Sequence, residues 1–109
     1  MEIHGIKEKG IIIVSVKGRM DAITSVDFEK YLTEWLSNGQ NEFLLDLSEM
    51  DYISSAGLRS ILKISKQLQM RNGKLIFAAL QDSVREVFRI SGFDKIFLIR
   101  KTMEEAMNG

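Results

Sequence analysis

Residues 43–47 read Phe43-Leu44-Leu45-Asp46-Leu47. A short run with one polar member and no alternation describes a strand buried on both faces, as in a sheet covered by helices. The same pattern returns at Leu75-Ile76-Phe77-Ala78-Ala79-Leu80, and Ile96-Phe97-Leu98-Ile99 reads as a last strand. Towards the N-terminus, Ile11 to Lys17 is a β-branched run, and Glu2 to Lys7 reads as a shorter strand. The turn signal Glu8-Lys9-Gly10 lies between them, so the two are expected to pair as a hairpin. Gly18 is expected to close the second strand and Arg19 to Ile23 to form a loop.

Between the strands the apolar period changes from two to 3.6. Phe28, Tyr31, Leu32, Trp35 and Leu36 fall on one helical face. Thr24-Ser25-Val26-Asp27 ahead of them has the form of a capping box, and Gly39 stands where a helix ends. Ser48 to Ser54 reads as a loop. From about Ser55 the pattern is helical again, with Leu58, Ile61, Leu62 and Leu68 on one face and Asn72-Gly73 as the stop. Asp82 or Ser83 is expected to cap a short helix that buries Val84, Val87 and Phe88 and stops at Gly92. Thr102-Met103-Glu104-Glu105 is a second capping box, opening a terminal helix. The order β β α β α β α β α predicts an α/β fold with a mostly parallel, mixed sheet packed against helices and the first strand at an edge.

The chain has 109 residues, 45% of them hydrophobic and 28% charged, which suits one domain spanning 1–109 and is too apolar for a disordered chain. Fifteen basic and fifteen acidic residues cancel. A nucleic-acid binder would show a basic excess, so no nucleic-acid partner is expected, nor attraction to an anionic membrane. Without cysteine there is no disulfide, thiolate zinc site or cysteine nucleophile. The opening Met1-Glu2-Ile3-His4-Gly5 does not have the form of a signal peptide, and no apolar run approaches the ~20 residues that span a bilayer. A cytoplasmic protein is expected.

Catalytic constellations are scarce. His4 is the only histidine and has no metal-ligand partner near it, so it reads as an exposed edge-strand residue. It lies far in sequence from every serine cluster, which argues against a Ser-His-acid triad. A Ser-Lys pair needs a desolvated lysine, and neither Lys63 nor Lys66 has a reason to be one. Phosphate-binding glycine motifs are absent. Glu49 and Asp51 read as solvated loop charges. Asp46, a lone acid in an apolar strand, must be hydrogen-bonded or lie at the strand end, and is expected to brace the following loop. The six methionines follow no helical spacing and read as core filling or surface scatter. No cofactor, no metal and no enzymatic activity are expected.

What remains is the junction Asp51-Tyr52-Ile53-Ser54-Ser55-Ala56-Gly57-Leu58. Ser54 or Ser55 suits a helix cap. Gly57 costs a helix about 1 kcal/mol relative to alanine, and is expected here because another molecule must come close. Helix-start N–H groups favour an anion. A phosphoryl group on either hydroxyl would add about 1.5 to 2 negative charges to an uncharged surface point.

Asp46-Leu47-Ser48 followed by Ile53-Ser54-Ser55-Ala56-Gly57-Leu58-Arg59 resembles the signature of STAS domains, specifically bacterial anti-sigma factor antagonists. Gly18-Arg19-Met20-Asp21-Ala22 is similar to the loop after that family's second strand. Asn72-Gly73-Lys74-Leu75 and Phe88-Arg89-Ile90-Ser91-Gly92-Phe93-Asp94-Lys95-Ile96 also match, so the resemblance runs along nearly the whole chain. It implies partner switching in signal transduction and transcription regulation. The unphosphorylated antagonist binds an anti-sigma factor that is also a serine protein kinase and frees the sigma factor; phosphorylation releases it; a PP2C-type serine phosphatase resets it. By alignment with Gly57-Leu58 the phosphorylated serine is Ser55, with Ser54 as the alternative. Many members carry Asp where this chain has Ser54 and a hydroxyl where it has Ala56. The partner surface is expected to include the Asp21 to Thr24 loop (Asp21 and Thr24 above all), Ser54, Ser55, Ala56, Gly57 and Leu58 and the exposed side of the second helix, on a monomer. The other role open to the family is a STAS interaction module that controls a non-transcriptional output or scaffolds a signalling complex.

Overall fold

The computed structural model describes residues 1–108. The elements are β1 (Glu2–Glu8), β2 (Ile11–Met20), α1 (Thr24–Ser37), β3 (Glu42–Asp46), β4 (Met50–Ile53), α2 (Ser55–Gln69), β5 (Lys74–Ala78), α3 (Asp82–Ser91), α4 (Phe93–Ile96), β6 (Leu98–Arg100) and α5 (Met103–Asn108). The sheet runs β1-β2-β3-β5-β6, and β4 pairs with β2 off that path. β1 and β2 form the expected antiparallel hairpin, and all other pairings are parallel.

Phe43, Leu44 and Leu45 are buried, as the unbroken apolar run requires of a strand with both faces covered. The larger cluster packs Val14, Val16, Leu45 and Phe77 against Phe28, Leu32, Ile61, Ile64 and Phe88 from the helices. A smaller one holds Leu44, Ile76 and Ala78 against Ala106 of α5, with Met103 and Met107 beside them. Phe77, Phe88, Phe93 and Phe97 meet edge to face, with centroids 5.1 to 5.4 Å apart, the arrangement ring quadrupoles favour.

The last strand runs Leu98–Arg100 and not over 96–99, because Ile96 ends the short helix α4, and three further expectations need correction. Gly18 does not close β2. It takes φ +95° and marks a bulge between Gly18 and Arg19, after which the strand continues to Met20 beside β4. A residue without a Cβ accommodates that dihedral, and the bulge redirects the strand. Residues 48–54 are therefore not wholly loop: β4 lies within them. Its burial pattern is buried, exposed, exposed, buried, because Met50 pairs with Gly18 and Tyr52 with Arg19 while Asp51 has no partner. That extra residue breaks the alternation by which a strand is recognised. The third correction concerns caps. Thr24 does not cap α1: Ile23 is the flanking residue and makes no side-chain cap bond, and in the turn before it an Asp21 carboxylate oxygen accepts the Thr24 N–H at 3.0 Å while Thr24 Oγ1 accepts the Asp21 N–H at 2.9 Å. In α3 neither Asp82 nor Ser83 caps; Gln81 is the first flanking residue and Asp82 pairs with Arg85 at 2.9 Å. The terminal box behaves as expected, with Thr102 Oγ1 accepting the Glu105 N–H at 3.1 Å.

β1 leaves one edge of the sheet unpaired. The Gly5 N–H on β1 donates to the Tyr31 hydroxyl of α1 at 2.7 Å. A Cβ on Gly5 would stand 3.0 Å from both that hydroxyl and Trp35 Nε1, so glycine is what lets α1 lean over the edge. Covering an edge in this way blunts unwanted strand pairing. Tyr31→Phe is expected to lower stability by about 1 kcal/mol and to speed amide exchange at Gly5 more than at other β1 residues. Native-state hydrogen exchange checks this; unchanged protection at Gly5 would refute the tie.

Candidate functional site

The Ser54–Leu58 junction is held by β4. With Ile53 paired to Met20, the Ser54 N–H donates to the Met20 carbonyl at 2.9 Å. This joins the start of α2 to the Asp21–Thr24 turn, so two segments about thirty residues apart form one surface. Ser54 then takes extended dihedrals (φ −95°, ψ 174°), and its Oγ accepts the Gly57 N–H at 3.3 Å while its carbonyl accepts the Leu58 N–H at 3.0 Å. Ser54 is the N-cap, and its hydroxyl is occupied. Ser55 is the first helical residue; it is exposed, and no cap contact claims its side chain. Ala56 beside it is half-buried.

Gly57 and Leu58 are placed otherwise than expected. Gly57 is buried, and a Cβ there would lie 2.8 Å from Ile53 Cγ1 and 3.1 Å from Met20 Cγ and Sδ. The close approach that requires glycine is made by the chain's own β2 and β4, not by a second molecule. Leu58 is half-buried against the main cluster. Of the seven candidate partner residues, Ser55 is the exposed one, Gly57 is buried, and Asp21, Thr24, Ser54, Ala56 and Leu58 are at intermediate burial.

The Asp21–Thr24 turn is internally satisfied. Thr24 Oγ1 donates to the Arg19 carbonyl at 2.8 Å, and the Asp21 carboxylate also accepts the Ile23 N–H at 3.0 Å. The Thr24 N–H above all, opposed by desolvation and helped by the Ile23 N–H, the Thr24 hydroxyl and Arg19, holds the Asp21 carboxyl below its usual range. The Arg19–Tyr52 contact and the exposed Val26 of this surface escaped the sequence reading. Arg19 lies over the Tyr52 ring, 4.1 Å from its centroid, a pairing set by their register across β2 and β4. Ile23 and Val26 expose 79% and 63% of their surface beside the turn, an apolar exposure that the capping pattern does not signal. Asp46 does brace its loop, accepting the Ser48 N–H at 3.0 Å.

A polar tie sets α1 against α2. The buried Ser60 hydroxyl donates to Glu29 at 2.7 Å, and Lys63 Nζ lies 3.0 Å from the other carboxylate oxygen. The Ser60 hydrogen bond and then Lys63 hold the Glu29 carboxyl below its usual value, opposed by partial burial. Among the described residues no group of three or more His, Cys, Asp or Glu side chains is placed to hold a metal ion, and no helix is long and apolar enough to cross a membrane.

A small α/β domain with two turns of chain clasped around one exposed serine is the class that the fold and site define. The chain matches the STAS domain family over residues 4–106 and belongs to it. It is 39% identical, over 92% of its length and 86% of the relative's, to BtrV of Bordetella bronchiseptica, which carries the name of anti-sigma factor antagonist. A crystal structure of a Thermotoga maritima protein described in the same terms covers 97% of this chain and 92% of its own, with a TM-score of 0.92 at 23% identity. SpoIIAA in its unphosphorylated form covers 98% and 94%, with a TM-score of 0.85 at 17% identity. These two likenesses establish the shared fold.

The two serines should separate in stability measurements. Ser54→Ala is expected to cost about 1 kcal/mol by loss of the cap, and Ser55→Ala to stay within about 0.5 kcal/mol. Urea unfolding of the two variants checks this; equal losses would refute the division. Glu29 gives a pH prediction. Because its folded pKa is depressed, its contribution to stability is present above the unfolded carboxylate range and is lost as pH falls through the folded value. Ser60→Ala is expected to raise the Glu29 midpoint, read by carboxyl-carbon NMR, and to flatten the stability change below about pH 4.5.

Proposed function

We propose that the chain is an anti-sigma factor antagonist that works by partner switching. Unphosphorylated, it binds a serine-kinase anti-sigma factor through the surface around Ser55 and so frees a sigma factor. Phosphorylation of Ser55 ends the complex, and a PP2C-type serine phosphatase restores it. The activity is binding and release, and the chemistry belongs to the partners. BtrV, named as such an antagonist, supports the role through similarity along nearly the whole chain.

One observation carries the choice of residue: the Ser55 hydroxyl is exposed, whereas the neighbouring Ser54 hydroxyl is committed to the Gly57 N–H. A kinase needs a hydroxyl that can leave the surface without a structural penalty, and Ser55 offers one. The surrounding half-buried Ala56 and exposed Ile23 and Val26 give a partner apolar area to cover. A dianion placed inside such an interface must lose its hydration and finds Asp21 nearby, so burial becomes unfavourable. Each 1.4 kcal/mol lost weakens binding tenfold. No refolding is required.

The test is reconstitution with the cognate anti-sigma factor. Phosphosite mapping should find Ser55; Ser55→Ala should bind with unchanged affinity and resist phosphorylation; Ser55→Glu should bind at least tenfold more weakly. Stoichiometric phosphorylation of the Ser55→Ala protein would overturn the assignment.

A further inference from the structure

Arg59 is one helical turn beyond Ser55 on α2. Residues four apart on a helix are surface neighbours, and side chains lean towards the helix N-terminus, which carries the Arg59 guanidinium back over position 55. Both residues are exposed. Arg59 forms no ion pair among the described residues, whereas Lys63 is held by Glu29 at 3.0 Å and Arg19 is drawn towards Tyr52 and Asp21. α2 also contains no acidic residue from Ser55 to Gln69. A negative group at position 55 therefore meets no carboxylate on its own helix, and meets one uncommitted cation at the spacing and in the order, acid before base, that helices favour.

We propose that Arg59 is the residue that holds the phosphate once Ser55 is phosphorylated, through an intrahelical phosphoserine–guanidinium pair. The inference rests on Ser55 as the modified residue. Guanidinium suits the task because its planar fork donates two parallel hydrogen bonds to phosphate oxygens. The pair gives the phosphate one pose on the domain, and it withdraws the Arg59 charge from whatever carboxylate or carbonyl a partner offers it. Release then has two parts: a dianion appears on the docking surface, and the Arg59 charge beside it is taken up by that dianion. Arg59 acts here as a positioning residue.

The experiment encodes phosphoserine directly at position 55 of the full chain, so that it reads Arg59 independently of any kinase. Phosphorus NMR titration should place the second phosphate ionisation about 0.2–0.4 pH units lower in the otherwise unaltered chain than in R59Q, because the cation favours the dianion. R59K should fall between them, keeping the charge but losing the fork, and R19Q should titrate like the unaltered chain. Identical titration curves for the unaltered chain and R59Q would overturn the proposal. Mapping of the kinase's target elsewhere than Ser55 would instead overturn the underlying functional reading and leave the NMR comparison intact.

Discussion

The hydrogen bond from the Ser54 N–H to the Met20 carbonyl (2.9 Å) is the contact on which the site depends. It exists because β2 continues past its Gly18 bulge and takes β4 as a second parallel partner. Without it the Asp21 turn and the start of α2 would be two separate loops. With it they are one surface, backed by Met20, Met50 and Ile53, all in the core. Gly57 belongs to the same construction: its missing side chain is the space in which α2 settles onto Met20 and Ile53.

Around that contact, polar groups divide into those used by the fold and those left over. Asp21 and Thr24 satisfy each other's backbone, Ser54 caps α2, and Ser60 with Glu29 and Lys63 sets the separation of the two helices. Ser55 and Arg59, one turn apart on the same helix, are not among these ties. The proposed phosphorylation of Ser55 would change the charge of this surface without taking a hydrogen bond from the scaffold, since Ser54 and not Ser55 caps the helix.

The STAS family's fold tolerates much sequence change, as a TM-score of 0.92 at 23% identity makes plain. The reason lies in the core. Strands such as β3 require only apolar residues of suitable size on both faces, and volume-conserving exchanges there cost little. The junction at 53–58 is less free, since its extended cap residue, its exposed hydroxyl and its buried glycine each answer a different constraint.

Local pattern was enough for most elements. The unbroken apolar runs of β3 and β5, the 3.6-residue period of α1 and α2 and the Thr102 cap depend on near neighbours in the chain, so they are legible in a linear reading. The serine pair was legible as a pair on the same grounds, and the family resemblance pointed to one member of it. β4 was not legible, because its unpaired Asp51 interrupts the alternation that marks a strand. Nor was the role of Gly57, whose neighbours Met20 and Ile53 are supplied by other strands. The cap expected from Thr24 was not legible for a related reason: at the end of β2, Asp21 and Thr24 spend their side chains on the turn that leads into α1, and Ile23 flanks the helix without a side-chain cap. Patterns within one element follow from covalent order and side-chain type; which hydroxyl is occupied and which stands free follows from contacts between distant segments, and those exist only once the sheet has brought β2 and β4 together.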